Sequence, residues 1–285
     1  MKKYLPFFLL LSNDGFYGIF LISSEKPYLS CITSNNMLKK ERQAFILHQV
    51  NLHNKVLSAS LSEEMRVSED TVRRDLQELA DEGRIIKVHG GALSQSFGYG
   101  SVPAAKIYSH ELKKNIAQKV VTLIKDGMFI LTTGGTTIIE IARILPPQLK
   151  ATFITGSVTA VLEYTQHPNI EVIMIGDKVS KSSKITVGGD AIAKIKQIKA
   201  DLCLMGVNSI DPVHGVTDND WDVVQVKKAM IESSQKTVCL SISEKLNSFQ
   251  PIQICQLADI DILVTELPPD NVVLQPYQNS GLQIL

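Results

Sequence analysis

The chain has 285 residues, of which 44% are hydrophobic and 20% charged, and its 29 basic and 29 acidic side chains give a formal net charge of zero. This composition is typical of a soluble globular protein and excludes a fibrous or intrinsically disordered chain. The neutral balance gives no indication of a polyanionic partner, and the length predicts two domains, each with its own core.

Residues 1–36 fit least well with the cytoplasmic location that we expect. Lys2 and Lys3 precede an apolar run at 5–11, and a second apolar run spans 16–22. The first run resembles the start of a secretory signal, but no small-residue cleavage pattern follows it, and neither run is long enough to cross a membrane. We interpret residues 1–36 as the product of an over-extended start codon, with a genuine extension and a functional signal peptide as alternatives. A chain starting at Met37 is therefore expected to be soluble and folded and to bind DNA fully.

The next segment predicts three helices and a wing. We expect helices over residues 40–53 and 58–65, a short turn, and a third helix that Ser68 caps and Gly83 ends. Strand propensity over 85–88, followed by two glycines, predicts a β wing. This order of elements is that of a winged helix-turn-helix domain, with boundaries at 37–93.

The third helix has two faces of opposite chemistry. Its apolar stripe, which we expect to pack on the domain core, consists of Val72, Leu76, Leu79 and Ala80. Its other face suits phosphate oxygens and base edges in a DNA major groove. The predicted DNA-binding residues of helix and wing are Ser68, Thr71, Arg73, Arg74, Gln77, Lys87 and His89. Nine basic and nine acidic residues lie between Leu38 and Leu93, so affinity is expected to depend on local arginines and dimerisation. The alternative is that this amphipathic segment is a protein-docking module or simply a solvated face.

Two stretches of this segment, VSEDTVRRDL at 67–76 and HGGA at 89–92, resemble the signature of the DeoR family of bacterial transcriptional regulators. The resemblance extends from about residue 37 to the C-terminus. It implies double-stranded operator DNA as a partner and a C-terminal effector domain similar to sugar-phosphate isomerases. Arg66 stands where many members have Gly in the turn, so we expect slight strain there.

Beyond a Ser- and Gly-rich linker at 94–108, the pattern predicts an α/β domain over 109–285. A helix is expected from residue 111. The predicted strands are 128–132, 151–155, 171–175, 202–207, 237–241 and 261–265, and the predicted helices between them are 138–145, 158–164, 190–198 and 221–234. Strands that are apolar on both faces and separated by helices predict a doubly wound, mostly parallel sheet. Residues 206–217 are expected to form a long loop.

Open parallel sheets bind ligands at the carboxyl ends of their strands, so the loops there are the candidate binding site. TTGGTT at 132–137 follows a strand and opens a helix, where backbone N–H groups, hydroxyls and the helix dipole favour a phosphate. Lys227 is expected to be its cationic partner. With the loops that resemble the family's effector domain, the predicted effector-binding residues are Thr133, Gly134, Gly135, Thr136, Thr137, Thr155, Ser157, Gly206, Thr217, Asp222, Lys227 and Lys245.

Two positions depart from the family pattern: Thr133 and Ile242 stand where the family has Asp. A sugar hydroxyl without its charged acceptor costs about 1.5 to 3 kcal/mol, so we expect tolerance of smaller or less hydroxylated phosphorylated ligands. The resulting hypothesis is a homo-oligomeric repressor of carbohydrate-metabolism genes, relieved by a phosphorylated sugar or related metabolite. The alternatives are an isomerase-like enzyme with a DNA tether and a constitutive DNA-binding protein with a ligand-silent dimerisation domain.

The cysteines and histidines carry no metal-binding pattern. The four cysteines include no CxxC pair and the six histidines lack ligand spacing. We therefore predict reduced cysteines, no metal and no cofactor, and no membrane partner.

Overall fold

The computed structural model describes residues 37–95, 103 and 107–285. Residues 1–36, for which we infer an over-extended start codon, lie outside the described residues. Most of the predicted linker at 94–108 also lies outside them. Both interpretations stay predictions.

The N-terminal domain has three helices and a three-stranded antiparallel sheet. Its elements are α1 (Lys39–His53), β1 (Lys55–Leu57), α2 (Ser58–Met65), α3 (Glu69–Asp81), β2 (Ile85–Val88) and β3 (Gly91–Ser94). The predicted helices and β2 are confirmed to within a residue, but β1 was not predicted. The sheet order is β1-β3-β2. A Cβ atom on Gly91 would lie 1.9 Å from the Val56 carbonyl oxygen, so the pairing of β3 with β1 requires glycine there.

Helix α3 is held against the core as its sequence predicts. Val72, Leu76 and Leu79 are buried, and Ala80 packs on the same cluster while half-buried. The predicted turn residue Arg66 is left-handed, with φ 54°. L side chains adopt this conformation at a cost, so the expected strain at this position is confirmed.

An ion pair that the sequence did not indicate fixes α3 against α1. The Arg42 guanidinium lies 2.7 Å from the Asp75 carboxylate (Nε to Oδ2), and Asp75 is buried. Because a buried carboxylate must be paired, this contact fixes the orientation of α3 on the domain.

The C-terminal domain is built on a seven-stranded sheet of order β15-β14-β12-β9-β4-β5-β6, in which every pairing is parallel. Its helices are α4 (His110–Val121), α5 (Thr136–Ile144), α6 (Val158–Tyr164), α7 (Gly189–Ile195), α8 (Trp221–Glu232) and α9 (Gln275–Gln278). Its strands are β4 (Phe129–Thr132), β5 (Thr152–Thr155), β6 (Glu171–Met174), β7 (Lys178–Val179), β8 (Thr186–Val187), β9 (Ala200–Gly206), β10 (Ser209–Asp211), β11 (Gly215–Asp218), β12 (Ser234–Leu240), β13 (Ile252–Cys255), β14 (Ile262–Val264) and β15 (Gln283–Ile284).

Both faces of this sheet are covered. Neighbouring residues of one strand pack into different cores: Ile130 joins the cluster that contains α4, α5 and α6, whereas Leu131 joins the cluster that contains α7 and α8. Successive side chains of a strand point to opposite faces, so the helices lie on both sides of the sheet. The predicted doubly wound fold is confirmed.

The prediction of a long loop at 206–217 is wrong. It contains the hairpin of β10 and β11, and β13 pairs with β11 to form a second, antiparallel sheet. The hairpin turn is closed by Asp211, whose Oδ1 accepts hydrogen bonds from the backbone N–H groups of Val213 and His214. In strands this short, the alternation of apolar and polar residues is too brief to predict a strand from the sequence. The short edge strand β15 was missed for the same reason.

Candidate functional site

The exposed face of α3 carries two arginines that are paired locally. Arg73 lies 3.3 Å from the Glu69 carboxylate and Arg74 lies 2.5 Å from the Asp70 carboxylate, one helical turn earlier. Exposed pairs at this spacing contribute only about 0.3 to 0.5 kcal/mol. Both arginines can therefore exchange their carboxylate partners for DNA phosphates or base edges at little cost.

A hollow beside α3 brings three of the predicted DNA-binding residues together. Arg73, Lys87 and His89 line it, with Ser58 at the start of α2, a residue that the sequence did not single out. Three side chains able to carry positive charge around a hollow between α2, α3 and the wing suit a phosphate group of a DNA backbone.

The other predicted DNA-binding residues have local structural contacts. Ser68 caps α3 by accepting a hydrogen bond from the Thr71 N–H (3.2 Å). Gln77 accepts a hydrogen bond from the Lys87 ammonium (2.7 Å), which joins α3 to the wing. The predicted DNA-binding side chains thus stand on a helix and a hairpin that are fixed to each other.

A second concave region, here called the interdomain cavity, lies where the two domains meet and has a volume of about 910 Å³ including its open mouth. Two segments of the C-terminal domain, residues 134–137 and 206–208, form part of its wall. The lining comprises His53, Asn54, Lys55, Lys113, Gly134, Gly135, Thr136, Thr137, Ser182, Ser183, Ile185, Gly206, Val207, Asn208, Asp218, Asn219, Asp220, Val223, Lys227, Leu240, Ile242 and Lys245.

Seven of the twelve predicted effector-binding residues line this cavity, namely Gly134, Gly135, Thr136, Thr137, Gly206, Lys227 and Lys245. The run 134–137 forms the start of α5, and Gly135 has φ 113°, a conformation that favours glycine. The backbone N–H groups of the first turn of a helix lack intrahelical partners. This end of the cavity is therefore suited to an anion.

The structure places the remaining five predicted residues outside the cavity lining. Thr133 is buried and its Oγ1 accepts a hydrogen bond from the Gly206 N–H (2.9 Å), which ties β4 to β9. Thr155 donates to the Thr132 carbonyl (2.7 Å), and Ser157 caps α6. These hydroxyls satisfy backbone groups of the fold and are not part of the cavity lining.

The last two of the five, Thr217 and Asp222, likewise lie outside the cavity lining. Thr217 Oγ1 accepts a hydrogen bond from the Gln250 N–H (2.7 Å). Asp222 lies exposed in the first turn of α8, where the helix dipole stabilises a carboxylate. Neither side chain is needed to build the cavity.

Lys227 is already paired. Its ammonium lies 2.8 Å from the Asp218 carboxylate, and both side chains are buried. Asp218 also accepts hydrogen bonds from the Asn208 amide and the Asn219 N–H. Burial raises the pKa of Asp218, but the Lys227 ammonium and these hydrogen bonds outweigh it and hold that pKa below its ordinary value. The sequence prediction of Lys227 as an anion ligand did not foresee this carboxylate.

Two other buried lysines each donate a hydrogen bond to a backbone carbonyl. Lys245 donates to the Val207 carbonyl (3.0 Å), and Lys113, which the sequence did not indicate, donates to the Tyr108 carbonyl (2.6 Å). Burial, with the nearby Lys113 and Lys227 charges, lowers the pKa of Lys245 to about 7, and burial lowers the pKa of Lys113 to about 8. Burial away from water destabilises the charged form of both lysines, and a bound anion would stabilise it.

The described part of the lining has a surplus of positive charge, with Lys55, Lys113, Lys227 and Lys245 against Asp218 and Asp220. Asp220 is also committed, because its side chain caps α8. Among the described residues, no group of three or more His, Cys, Asp or Glu side chains is arranged to hold a metal ion. Over the same residues, no helix is both long and apolar enough to cross a membrane. Cys203, Cys239 and Cys255 are free and buried.

Comparison with known proteins agrees with this two-part architecture. A model of the DeoR-like helix-turn-helix domain matches residues 42–97, and a model of the DeoR C-terminal sensor domain matches residues 108–267. The HTH-type transcriptional regulator GolR of Listeria innocua is 30% identical over 250 residues, which cover 87% of this chain and 98% of GolR.

Two further relatives are named as repressors. The HTH-type transcriptional repressor GlcR of Bacillus subtilis is 28% identical over 87% of this chain and 96% of its own. The glycerol-3-phosphate regulon repressor of Haemophilus influenzae is 32% identical over 73% of this chain and 81% of its own. With a helix-turn-helix domain and a sensor domain matched in order along most of its length, the chain belongs to the DeoR family of transcriptional regulators.

Proposed function

We propose that this regulator represses genes of carbohydrate metabolism and that a phosphorylated sugar or related metabolite in the interdomain cavity relieves the repression. The observation that carries the proposal is the meeting of buried Lys245 and Lys113 with the start of α5 in one cavity. The names of relatives, one a glycerol-3-phosphate regulon repressor, support the class of ligand.

A phosphate monoester suits this chemistry. It is mostly a dianion near neutral pH and has three strong acceptor oxygens. Residues 134–137 supply backbone N–H groups and two hydroxyls, while Lys245 and Lys113 supply charge that is held away from water. Ile242, where the family has Asp, adds an apolar wall. We therefore expect phosphorylated ligands with few hydroxyls to bind at least as well as hexose phosphates.

For the ligand to act on DNA binding, it must bind one arrangement of the two domains better than the other. The interdomain cavity is lined by both domains, so a change in their arrangement changes the cavity. We further propose that the regulator binds as a symmetric oligomer, since a two-fold protein matches two half-sites of an operator.

An isomerase activity is the second candidate function, and the cavity carboxylates argue against it. Isomerisation needs a base with a free lone pair near the substrate carbon. Asp218 is held by Lys227, and Asp220 caps α8. Asp211 closes the β10–β11 turn by accepting hydrogen bonds from backbone N–H groups. A silent sensor domain is the third candidate, and the binding experiment decides it.

The proposal is tested by calorimetric titration with inorganic phosphate, glycerol 3-phosphate, ribose 5-phosphate and glucose 6-phosphate, with glycerol, ribose and glucose as controls. We expect phosphorylated compounds to bind and their unphosphorylated counterparts not to bind. Lys245→Met should weaken the phosphorylated ligands, whereas Lys236→Met, an exposed lysine on β12, should not. Absence of binding by every phosphorylated compound would favour the silent sensor domain.

A further inference from the structure

The last turn of α1 belongs to the N-terminal domain but forms part of the wall of the interdomain cavity. Leu52 buries its side chain in the core of the C-terminal domain, and His53, Asn54 and Lys55 line the cavity. The N-terminal domain is therefore docked on the C-terminal domain directly beside the space for a ligand.

Hydrogen bonds connect this turn to the buried ion pair. Asn54 ends α1 in a left-handed conformation, and its carbonyl accepts a hydrogen bond from the Ser94 N–H in β3 (2.9 Å). Its side-chain amide donates to the Asn208 side chain (3.3 Å), which donates to Asp218 (3.0 Å), the partner of Lys227. The end of α1 and the wing are thus linked to a charged group in the cavity wall.

His53 and Lys55 place two groups of complementary hydrogen-bonding capacity in the cavity lining. The buried Nδ1 of His53 has no hydrogen-bond partner among the described residues. Burial, assisted by the charges of Lys245 and His48, lowers the pKa of His53 to about 4. A neutral imidazole presents one acceptor nitrogen, and the Lys55 ammonium is a donor only. An acceptor beside a donor matches a hydroxyl group, which both donates and accepts.

We propose that the N-terminal domain itself contacts the ligand: the phosphate lies at residues 134–137 and Lys245, and a hydroxyl of the same molecule bonds to His53 and Lys55. This rests on the proposed function and adds a second set of ligand contacts to it. The ligand then bridges the two domains, so occupancy of the cavity biases the position of α1 without any intermediate element. Hydroxyl-bearing phosphomonoesters are the class that fits, because inorganic phosphate carries no sugar hydroxyl that could bond to His53 and Lys55.

The test compares inorganic phosphate with glycerol 3-phosphate, ribose 5-phosphate and glucose 6-phosphate in calorimetric titrations of the full chain. Lys55→Ala is the main variant, and Lys40→Ala, an exposed lysine at the other end of α1, is the matched control. His53→Phe, which keeps a ring of similar size, is the second variant. Physiological salt limits long-range charge effects to about 8 Å.

We expect Lys55→Ala and His53→Phe to weaken the sugar phosphates by about fivefold or more and to change phosphate affinity by less than about twofold. Lys40→Ala should match wild type for both. Equal affinities of wild type and both variants for every sugar phosphate would overturn this inference and leave the proposed function intact, as would an equal loss for sugar phosphates and phosphate. Failure of wild type to bind any phosphorylated compound would overturn both.

Discussion

The cations of α3 and the cation of α8 differ in how firmly their carboxylate partners hold them. Arg73 and Arg74 are 65% and 78% exposed and pair with residues of their own helix. Lys227 is 7% exposed, and its partner Asp218 is 2% exposed. Water screens the first two pairs, so they exchange partners readily. Neither member of the third can leave without exposing an uncompensated buried charge.

The comparison separates cations that are available to a ligand from cations that stabilise the fold. The surface arginines are available to DNA, whereas Lys227 stabilises the cavity wall. Lys245 and Lys113 are intermediate, because they are buried but donate hydrogen bonds to neutral carbonyls. An anion in the cavity gains most from these two lysines.

The largest effect is expected from breaking the buried pair. Lys227→Ala leaves Asp218 buried and unpaired, and should lower the free energy of unfolding by about 3 to 5 kcal/mol. Urea unfolding followed by circular dichroism measures this. Replacing both partners, as Lys227→Met with Asp218→Asn, should restore most of the loss. A double variant as unstable as the single one would show that the charge pairing is not the cause.

Removing the two exposed arginines should weaken DNA binding and leave folding unaffected. Arg73→Ala with Arg74→Ala is expected to weaken operator binding about a hundredfold, or about 2.7 kcal/mol, while the melting temperature stays nearly unchanged. Gel-shift titration on DNA selected by the wild-type protein measures it. The matched control, Glu69→Gln with Asp70→Asn, frees both arginines and should bind DNA at least as tightly. Wild-type affinity in the arginine variant would exclude α3 as the reading helix.

The intermediate lysines predict a pH dependence of ligand binding. Lys245, with a pKa of about 7, is charged below that pH and loses its proton above it. A bound dianion raises the pKa of this lysine, so binding takes up a proton and weakens as pH rises. Between about pH 6.5 and 8.5 the affinity should fall by about tenfold, since phosphate monoesters, with a second pKa near 6, change little over this range.

Calorimetry in buffers of different ionisation enthalpy counts the protons taken up. Lys245→Met should reduce that number, leaving the contribution of Lys113, whose pKa is about 8. Binding without proton uptake in the wild-type protein would place the anion away from both lysines.

The smallest effect on stability is expected at Arg66, which belongs to none of the ion pairs compared above. Arg66 is left-handed in the turn between α2 and α3. Arg66→Gly removes the strain of its Cβ atom and should stabilise the protein by about 0.5 to 1 kcal/mol, even after the entropic cost of glycine. Thermal unfolding measures the change. A lower melting temperature would mean that the arginine side chain contributes more than its backbone costs.

Local patterns explain which parts the sequence predicts well. The Ser68 cap and the spacing of Val72, Leu76 and Leu79 are determined within one helix, so α3 is predictable. The strand-loop-helix order around 132–137 likewise predicts one end of the cavity.

The rest of the cavity is formed by tertiary contacts that no local pattern encodes. Lys113 comes from α4 and Asp218 from a strand that was not predicted. The end of α1 reaches the cavity because Leu52 packs into the other domain and Asn54 bonds to Asn208. Hydroxyls such as Thr155 and Ser157 look like ligand contacts in sequence, but satisfy the backbone in the fold.

The central claim is that an anion held by Lys245 in the interdomain cavity changes the affinity of the protein for DNA. Its most direct test is fluorescence anisotropy of a labelled operator fragment, titrated with protein in the absence and presence of glycerol 3-phosphate, ribose 5-phosphate or glucose 6-phosphate. In the wild-type protein at least one of these should change the DNA dissociation constant by about tenfold, within the usual range of allosteric coupling. In Lys245→Met the same ligand should change it by less than about twofold. An unchanged DNA affinity with all three ligands, or an equal response in Lys245→Met, would contradict the claim.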